Sequence, residues 1–148
     1  MKRRTFLAAA IASAWSAPLL AATPAAPAIA VYKSEGCGCC EGWIAHLQKA
    51  GFKVEAQNVP DTAVYRDKFG IPQELASCHT GQVGGYALEG HVPAADIKRL
   101  LAERPKARGL AVPSMPLGSP GMEGPRKAPY DVLLVQLDGR HTVYQHYN

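Results

Sequence analysis

Apolar and polar positions alternate with two different periods in the first half of the chain, and each period predicts a different element. Residues 28–33 form a short segment with β-branched and aromatic residues, which predicts a strand. In residues 52–59 apolar and polar residues alternate, which predicts a second strand. Between them the bulky positions recur at intervals of three and four, which predicts an amphipathic helix from Cys39 to Gly51 with a stripe of Trp43, Ile44, Leu47 and Ala50.

The same patterns continue to residue 103. Asp61 is placed to cap a short helix over 62–69, which Gly70 ends. Residues 75–79 predict a short strand, and residues 83–89 predict another, in which the glycine pair 84–85 indicates a bulge or a close approach of the backbone. A proline in the first turn favours a helix from 93 to about 103, with a buried stripe of Ile97, Leu100 and Leu101.

Residues 105–129 lose this periodicity and carry six prolines and four glycines, which predicts one long irregular loop. Residues 131–137 then form a predicted strand. Asp138-Gly139 is a strong hairpin signal, and residues 141–147 are its returning strand. The order of elements predicts an α/β protein with a thioredoxin-like mixed sheet flanked by helices and an added C-terminal β-hairpin.

The N-terminus has the three parts of a cleavable export signal over residues 1–22: basic residues 2–4, an Ala-rich apolar middle, and a small-residue end. Cleavage as late as residue 28 also fits the small-residue tract, which leaves one domain over 29–148. The middle is too short and too interrupted to span a bilayer well. These features predict a periplasmic protein without a membrane span, exported by the Sec or the twin-arginine route.

Charge supports this division of the chain. The whole sequence has 16 basic and 12 acidic residues, a formal +4. Residues 1–22 hold three of the basic residues and no acidic one, so the remainder carries +1. The folded part therefore lacks the basic excess that nucleic-acid binding needs, and we expect no nucleic-acid partner.

Four cysteines carry the most specific chemistry. Cys37, Cys39 and Cys40 lie within four consecutive positions, and Cys78 is followed directly by His79. Thiolates and an imidazole are soft ligands that select Cu(I) or zinc over magnesium or calcium. We predict metal ligation by these five residues, with one or more Cu(I) ions as the leading reading and a zinc-stabilised binding module as an alternative.

Two other readings of the cysteines stay open. Thiols in an oxidising compartment commonly pair, so Cys37 and Cys40 are candidates for a structural disulfide. Their C-x-x-C spacing also fits a thiol–disulfide oxidoreductase. A third thiol inside the motif favours metal, since it would scramble a structural disulfide.

Four further residues are weaker metal candidates. Met115 and Met122 lie in the irregular loop and have soft thioethers, although methionine is also a common gap filler. His91 precedes the predicted helix at 93, and His46 lies on the first helix, where it fits a surface position equally well. His141 and His146 fall on the hairpin and are read as surface residues.

Several segments together resemble the CopG-type family of exported bacterial metal-binding proteins. They are Tyr32-Lys33-Ser34, Cys37-Gly38-Cys39-Cys40, Trp43, His46-Leu47, Gly51-Phe52, Ser77-Cys78-His79-Thr80, Glu89-Gly90-His91-Val92-Pro93, Gly109-Leu110-Ala111-Val112-Pro113, Met115-Pro116 and Gly118-Ser119-Pro120-Gly121-Met122-Glu123. The resemblance implies a thioredoxin-like fold, copper binding through the four cysteines with His79 as a further ligand, and a role in copper resistance. We expect copper ions and other periplasmic copper-handling proteins as partners. Ser114 stands where the family's pattern leads us to expect glycine.

Overall fold

The computed structural model describes residues 27–148, which contain three α-helices and a seven-stranded mixed sheet. The strands lie in the order β2-β1-β3-β4-β5-β6-β7. The elements are β1 (Ile29–Lys33), α1 (Gly38–Lys49), β2 (Val54–Asn58), α2 (Ala63–Lys68), β3 (His79–Val83), β4 (Tyr86–Glu89), α3 (Ala94–Glu103), β5 (Gly109–Ala111), β6 (Tyr130–Val135) and β7 (His141–Tyr147).

The centre of the sheet brings the start of α1 next to the segment that precedes β3. Strand β1 pairs with β2 in parallel on one side and with β3 in antiparallel on the other. In the second pairing Lys33, the last residue of β1, lies opposite His79, the first residue of β3. The chain leaves β1 for α1 at this same end of the sheet, so residues 37–40 and Cys78 lie close together.

Helices cover both faces of the sheet. Neighbouring strand residues point to opposite faces, so Leu88 joins one hydrophobic cluster and Ala87 joins the other. The larger cluster packs the apolar stripes of α1 and α3 on the sheet, and its fully buried members include Ile29, Val31, Trp43, Leu47, Ile97 and Leu100. On the opposite face Tyr65 of α2 stacks on Tyr32. The predicted mixed α/β sheet flanked by helices is confirmed, and the thioredoxin-like description stays a prediction.

Two predicted strands were wrong in their limits. Residues 73–75 form a 3-10 turn rather than the start of a strand, and β3 begins only at His79. The glycine pair 84–85 is not a bulge in one strand but the turn between β3 and β4. Both glycines have a positive φ, at 55° and 89°, which suits a tight hairpin turn and interrupts a strand.

The irregular loop predicted over 105–129 contains strand β5, which pairs in parallel with β4 and in antiparallel with β6. Its three residues are buried, and a side chain at Gly109 would collide with the backbone of Ala87. The β6–β7 hairpin is present as predicted. The export signal over 1–22 lies outside the described residues. Within residues 27–148 no helix has both the length and the apolar character to cross a membrane.

Candidate metal centre

The first turn of α1 presents two of the cysteines, and Cys37 is the residue that caps the helix. The carbonyl of Cys37 accepts a hydrogen bond from the Glu41 amide at 3.2 Å. Gly36 has φ of 70°, which lets the chain turn sharply out of β1. Cys39 and Cys40 therefore lie in the first turn of α1, at the end of the helix that carries partial positive charge.

Cys37 and Cys40 form a disulfide, and Cys39 and Cys78 are free thiols. This pairing is the alternative that the C-x-x-C spacing left open. The bond uses two of the four sulfurs, which would have to be reduced before all four could act as thiolate ligands.

The four sulfur atoms nevertheless form one cluster. The Cys39 Sγ lies 3.6 Å from the Sγ atoms of Cys37 and Cys78, and the Cys40 Sγ lies 3.6 Å from that of Cys78. All four ligand atoms lie within 4.8 Å of one another. Cys40 is buried, while Cys37, Cys39 and Cys78 are partly exposed.

Two buried imidazoles extend the cluster beyond Cys78. The Cys78 Sγ lies 3.3 Å from His79 Nδ1 and 3.2 Å from His91 Nε2. His91 Nδ1 donates a hydrogen bond to the Pro120 carbonyl at 2.7 Å, which leaves the Nε2 lone pair directed at Cys78. A histidine that donates its second nitrogen to a carbonyl in this way is oriented as metal-bound histidines are. His91, only a weaker candidate from the sequence, therefore lies as close to Cys78 as His79 does.

Burial sets the protonation of these groups. Burial lowers the pKa of His79 to about 3, with a further contribution from His91, and burial also lowers the pKa of His91 itself. Burial and the neighbouring Cys39 raise the pKa of the Cys78 thiol to about 12. The metal-free site therefore holds neutral imidazoles, which have lone pairs free for a metal, and a neutral Cys78 thiol that a bound cation would deprotonate.

The buried Nε2 atom of His79 has no hydrogen-bond partner among the described residues. The four sulfurs, with His79 Nδ1 and His91 Nε2 beside Cys78, form a donor set that fits a soft cation. Hard cations such as magnesium prefer oxygen ligands, and the grouped ligand atoms offer only sulfur and nitrogen.

The Pro/Gly-rich loop crosses over the cluster. Met115 Sδ lies 4.0 Å from the Cys39 Sγ, and the residue is 46% exposed. Met122 instead contributes its backbone to a loop turn, where its amide donates to the Ser119 carbonyl at 2.8 Å. Ser114 has φ of 61°, a left-handed conformation that glycine adopts more readily, at the position where the family's pattern predicts glycine.

His46 lies outside both groups of ligand atoms. Its Nε2 accepts a hydrogen bond from the Ala94 amide at 3.0 Å, at the first residue of α3. Burial lowers the pKa of His46, in keeping with a neutral ring that accepts this bond. The ring therefore ties α1 to α3 and does not face the cysteines.

Sequence reasoning missed the polar network behind Cys78. Glu89 is fully buried and pairs with Arg66 of α2, Nε to Oε1, at 2.9 Å. Burial raises the pKa of Glu89, while hydrogen bonds from Thr80 and Arg66 oppose that rise. A glutamate at the end of an apolar strand was the available signal, because such a residue is rarely buried without a partner.

The chain is similar to two solved structures of copper resistance protein CopG. One, named Form 2, shares 44% identity over 83% of this chain and 99% of its own, with a TM-score of 0.79. The other, Form 1, shares 45% identity over 82% of this chain and 98% of its own, with a TM-score of 0.78. The chain belongs to the CopG family. Residues 75–122 also match the model of a family described as a protein of unknown function, DUF411.

Membership of the CopG family and the cysteine cluster together fit a copper-related function. No curated protein matches the chain. The segment matched by the DUF411 model runs from just before Cys78 to Met122, and it contains His79, His91 and the loop over the cluster. Cys37, Cys39 and Cys40 lie outside that segment.

Proposed function

We propose that the protein is an exported copper-binding protein that holds Cu(I) through the thiolates of Cys37, Cys39, Cys40 and Cys78, together with His79. It acts in copper resistance in the periplasm, and copper ions and other periplasmic copper-handling proteins are its partners. The observation that carries this proposal is the convergence of four sulfurs, from two distant segments, within 4.8 Å.

Cu(I) suits this donor set better than zinc because the two ions differ in the coordination that they require. Cu(I) accepts low coordination numbers and bridging thiolates, so four closely spaced sulfurs can serve one ion or several. Zinc takes four ligands in a tetrahedron. His91 and Met115 are further candidate ligands, because each lies within about a ligand's reach of a cluster sulfur, at 3.2 Å and 4.0 Å.

The direct test is a titration of the reduced protein with Cu(I) against a competing chelator. Replacing Cys37, Cys39 and Cys40 together by Ser should abolish tight binding, because it removes three soft ligands. Thr142→Ser, on the exposed strand β7, is the matched control and should leave binding unchanged. Retained tight binding in the triple variant would overturn the proposal.

Metal analysis separates copper from zinc. Protein purified anaerobically from cells grown with both metals should contain copper at the cysteine cluster. Zinc in place of copper, lost in the triple variant, would favour the zinc-stabilised module instead.

The disulfide favours a second candidate, a thiol–disulfide oxidoreductase. In this reading the Cys37 and Cys40 dithiol is oxidised to the disulfide and passes two electrons and two protons to a substrate disulfide. With two Cu(II) ions as the acceptors, the two electrons reduce them to Cu(I) and the two protons are released to water. Metal-free protein whose Cys37–Cys40 disulfide has first been reduced should then reduce a model disulfide, and this activity should be lost in Cys37→Ser. Metal-free protein that is inert toward disulfides, and reduced protein that leaves Cu(II) unreduced, would exclude this candidate.

A further inference from the structure

The fully buried side chain of Glu89 makes contacts on both sides of the Cys78-His79 pair. Its Oε1 accepts a hydrogen bond from the Ser77 amide at 2.7 Å, one residue before Cys78. Its Oε2 accepts from the Thr80 hydroxyl at 2.6 Å, one residue after His79. The carboxylate therefore spans the backbone that carries both donors.

Arg66 also contacts the backbone before Cys78. Its Nη2 donates to the Ser77 carbonyl at 3.1 Å, and its Nη1 donates to the Gln73 side chain at 3.0 Å. Its Nε is the group that pairs with Glu89. Both backbone groups of Ser77 are thus held by the same ion pair.

The segment needs such support because it has little regular structure of its own. Residues 76–78 lie between the 3-10 turn and β3, so sheet hydrogen bonds begin only after Cys78. The Ser77 hydroxyl also donates to the Ser114 carbonyl, and the Ser114 amide donates to the Ala76 carbonyl at 2.9 Å. Position 77 therefore connects the ion pair to the loop that carries Met115.

A buried ion pair is seldom required for stability, since a well-packed apolar pair of similar size is often as stable. We propose that Glu89, held by Arg66, is a positioning residue of the metal centre, which fixes the Cys78 thiol against the sulfurs of α1. This inference rests on the proposed function, because it concerns how the cluster of that function is kept in place.

Two double variants isolate the hydrogen bonds from the buried charge. In R66M/E89Q the glutamine carbonyl still accepts from the Ser77 amide, whereas in R66M/E89M no acceptor remains. Neither variant leaves an unpaired charge in the core. The two variants therefore differ in whether residue 89 can accept the hydrogen bond from the Ser77 amide.

The measurements are Cu(I) affinity of the reduced protein by chelator competition, and the thiolate-to-copper charge-transfer absorption. R66M/E89M should lose tenfold or more in affinity, the range seen when a metal site's supporting hydrogen bonds are removed. Its absorption per copper should fall because Cys78 leaves the cluster. R66M/E89Q should stay within about threefold of the unchanged protein, which is the rescue that a positioning role predicts.

Val135→Ala is the matched control for stability. It removes buried apolar volume from the smaller hydrophobic cluster, on the same face of the sheet as Glu89. It should lower the unfolding midpoint without changing affinity or absorption. Equal affinity in the two double variants would overturn the positioning role while leaving Cu(I) binding intact. An unchanged protein that binds no Cu(I) would overturn the proposed function itself, and with it this inference.

Discussion

Two glycines set the distance between the irregular loop and α1. A Cβ at Gly42 would lie 2.9 Å from the Gly121 Cα, and a Cβ at Gly121 would lie 2.7 Å from the Trp43 amide nitrogen. Gly121 also has φ of 88°, a region that other residues rarely adopt. The close approach keeps the Pro120 carbonyl where His91 Nδ1 can donate to it.

Gly121→Ala should therefore displace the loop. We expect a loss of about 2 kcal/mol in the free energy of unfolding, because neither the backbone of α1 nor the left-handed conformation accommodates a methyl group. Cu(I) affinity should fall as well, since His91 loses the carbonyl that orients it. Denaturant unfolding and chelator competition measure the two effects.

Gly124→Ala is the matched control, because a Cβ at that position meets no atom within 4 Å. It should change neither quantity measurably. If Gly121→Ala behaved like this control, the loop would not be held by its contact with α1.

Residue identity alone could predict part of this site. Three thiols within four positions mark the start of α1 as the centre, because their closeness is already present in the sequence. His91 and His46 could not be ranked in the same way, since each lies beside or on a helix. The packing of these elements places His91 beside Cys78, and it places His46 on α1 beside the first residue of α3.

At the scale of elements, the C-terminal hairpin is attached to α3 by polar contacts. The Tyr147 hydroxyl donates to the buried carboxylate of Asp96 at 2.7 Å. Arg99 lies over the Tyr144 ring at 3.6 Å from its centroid and donates to the Tyr144 carbonyl at 2.6 Å. Strand β7 is the edge of the sheet, so these contacts hold it to the rest of the molecule.

Tyr147→Phe should lower the free energy of unfolding by about 1.5 kcal/mol, because it leaves the Asp96 carboxylate without this donor while keeping the ring. Denaturant unfolding measures the change. The matched control is Tyr65→Phe, where the tyrosine contributes its ring to a stack on Tyr32, and we expect a much smaller effect. Equal losses in both variants would contradict the attachment of β7 through Asp96.

The helices were predictable from local periodicity, whereas β5 and the β3–β4 hairpin were not. A helix buries a stripe that its own sequence displays, as Trp43 and Leu47 do on α1. Strand β5 has only three residues, and its pairing with β4 and β6 depends on segments far along the chain. The turn at 84–85 looked like a bulge because apolar residues flank the glycines on both sides.

For the whole molecule, three histidines are held neutral by burial. Burial lowers the pKa of His46, His79 and His91 below that of an unfolded histidine, and the value for His79 is about 3. The unfolded chain therefore takes up protons first as the pH falls. Stability is present above the unfolded pKa of about 6.5 and is lost as the pH falls below it.

The metal-free protein should lose about 2 kcal/mol of stability from His79 alone as the pH falls from about 7.5 to about 5. Unfolding measured across this range should show the loss, and His79→Gln should reduce it by about that amount, leaving the contributions of His46 and His91. His141→Gln, on the exposed end of β7, is the control and should keep the slope of the unchanged protein. A slope that His79→Gln leaves intact would assign the pH dependence to other groups.

The cluster joins positions that are far apart along the chain, and this separation has a mechanical consequence. A metal ion shared by Cys39 and Cys78 would act as a cross-link that closes a loop of about 39 residues, as a disulfide does. The loop contains β2, α2 and the Arg66 that pairs with Glu89. Binding of the metal ion would therefore slow local opening between β1 and β3 and protect their amides from hydrogen exchange. The bound ion would then contribute to the stability of the fold.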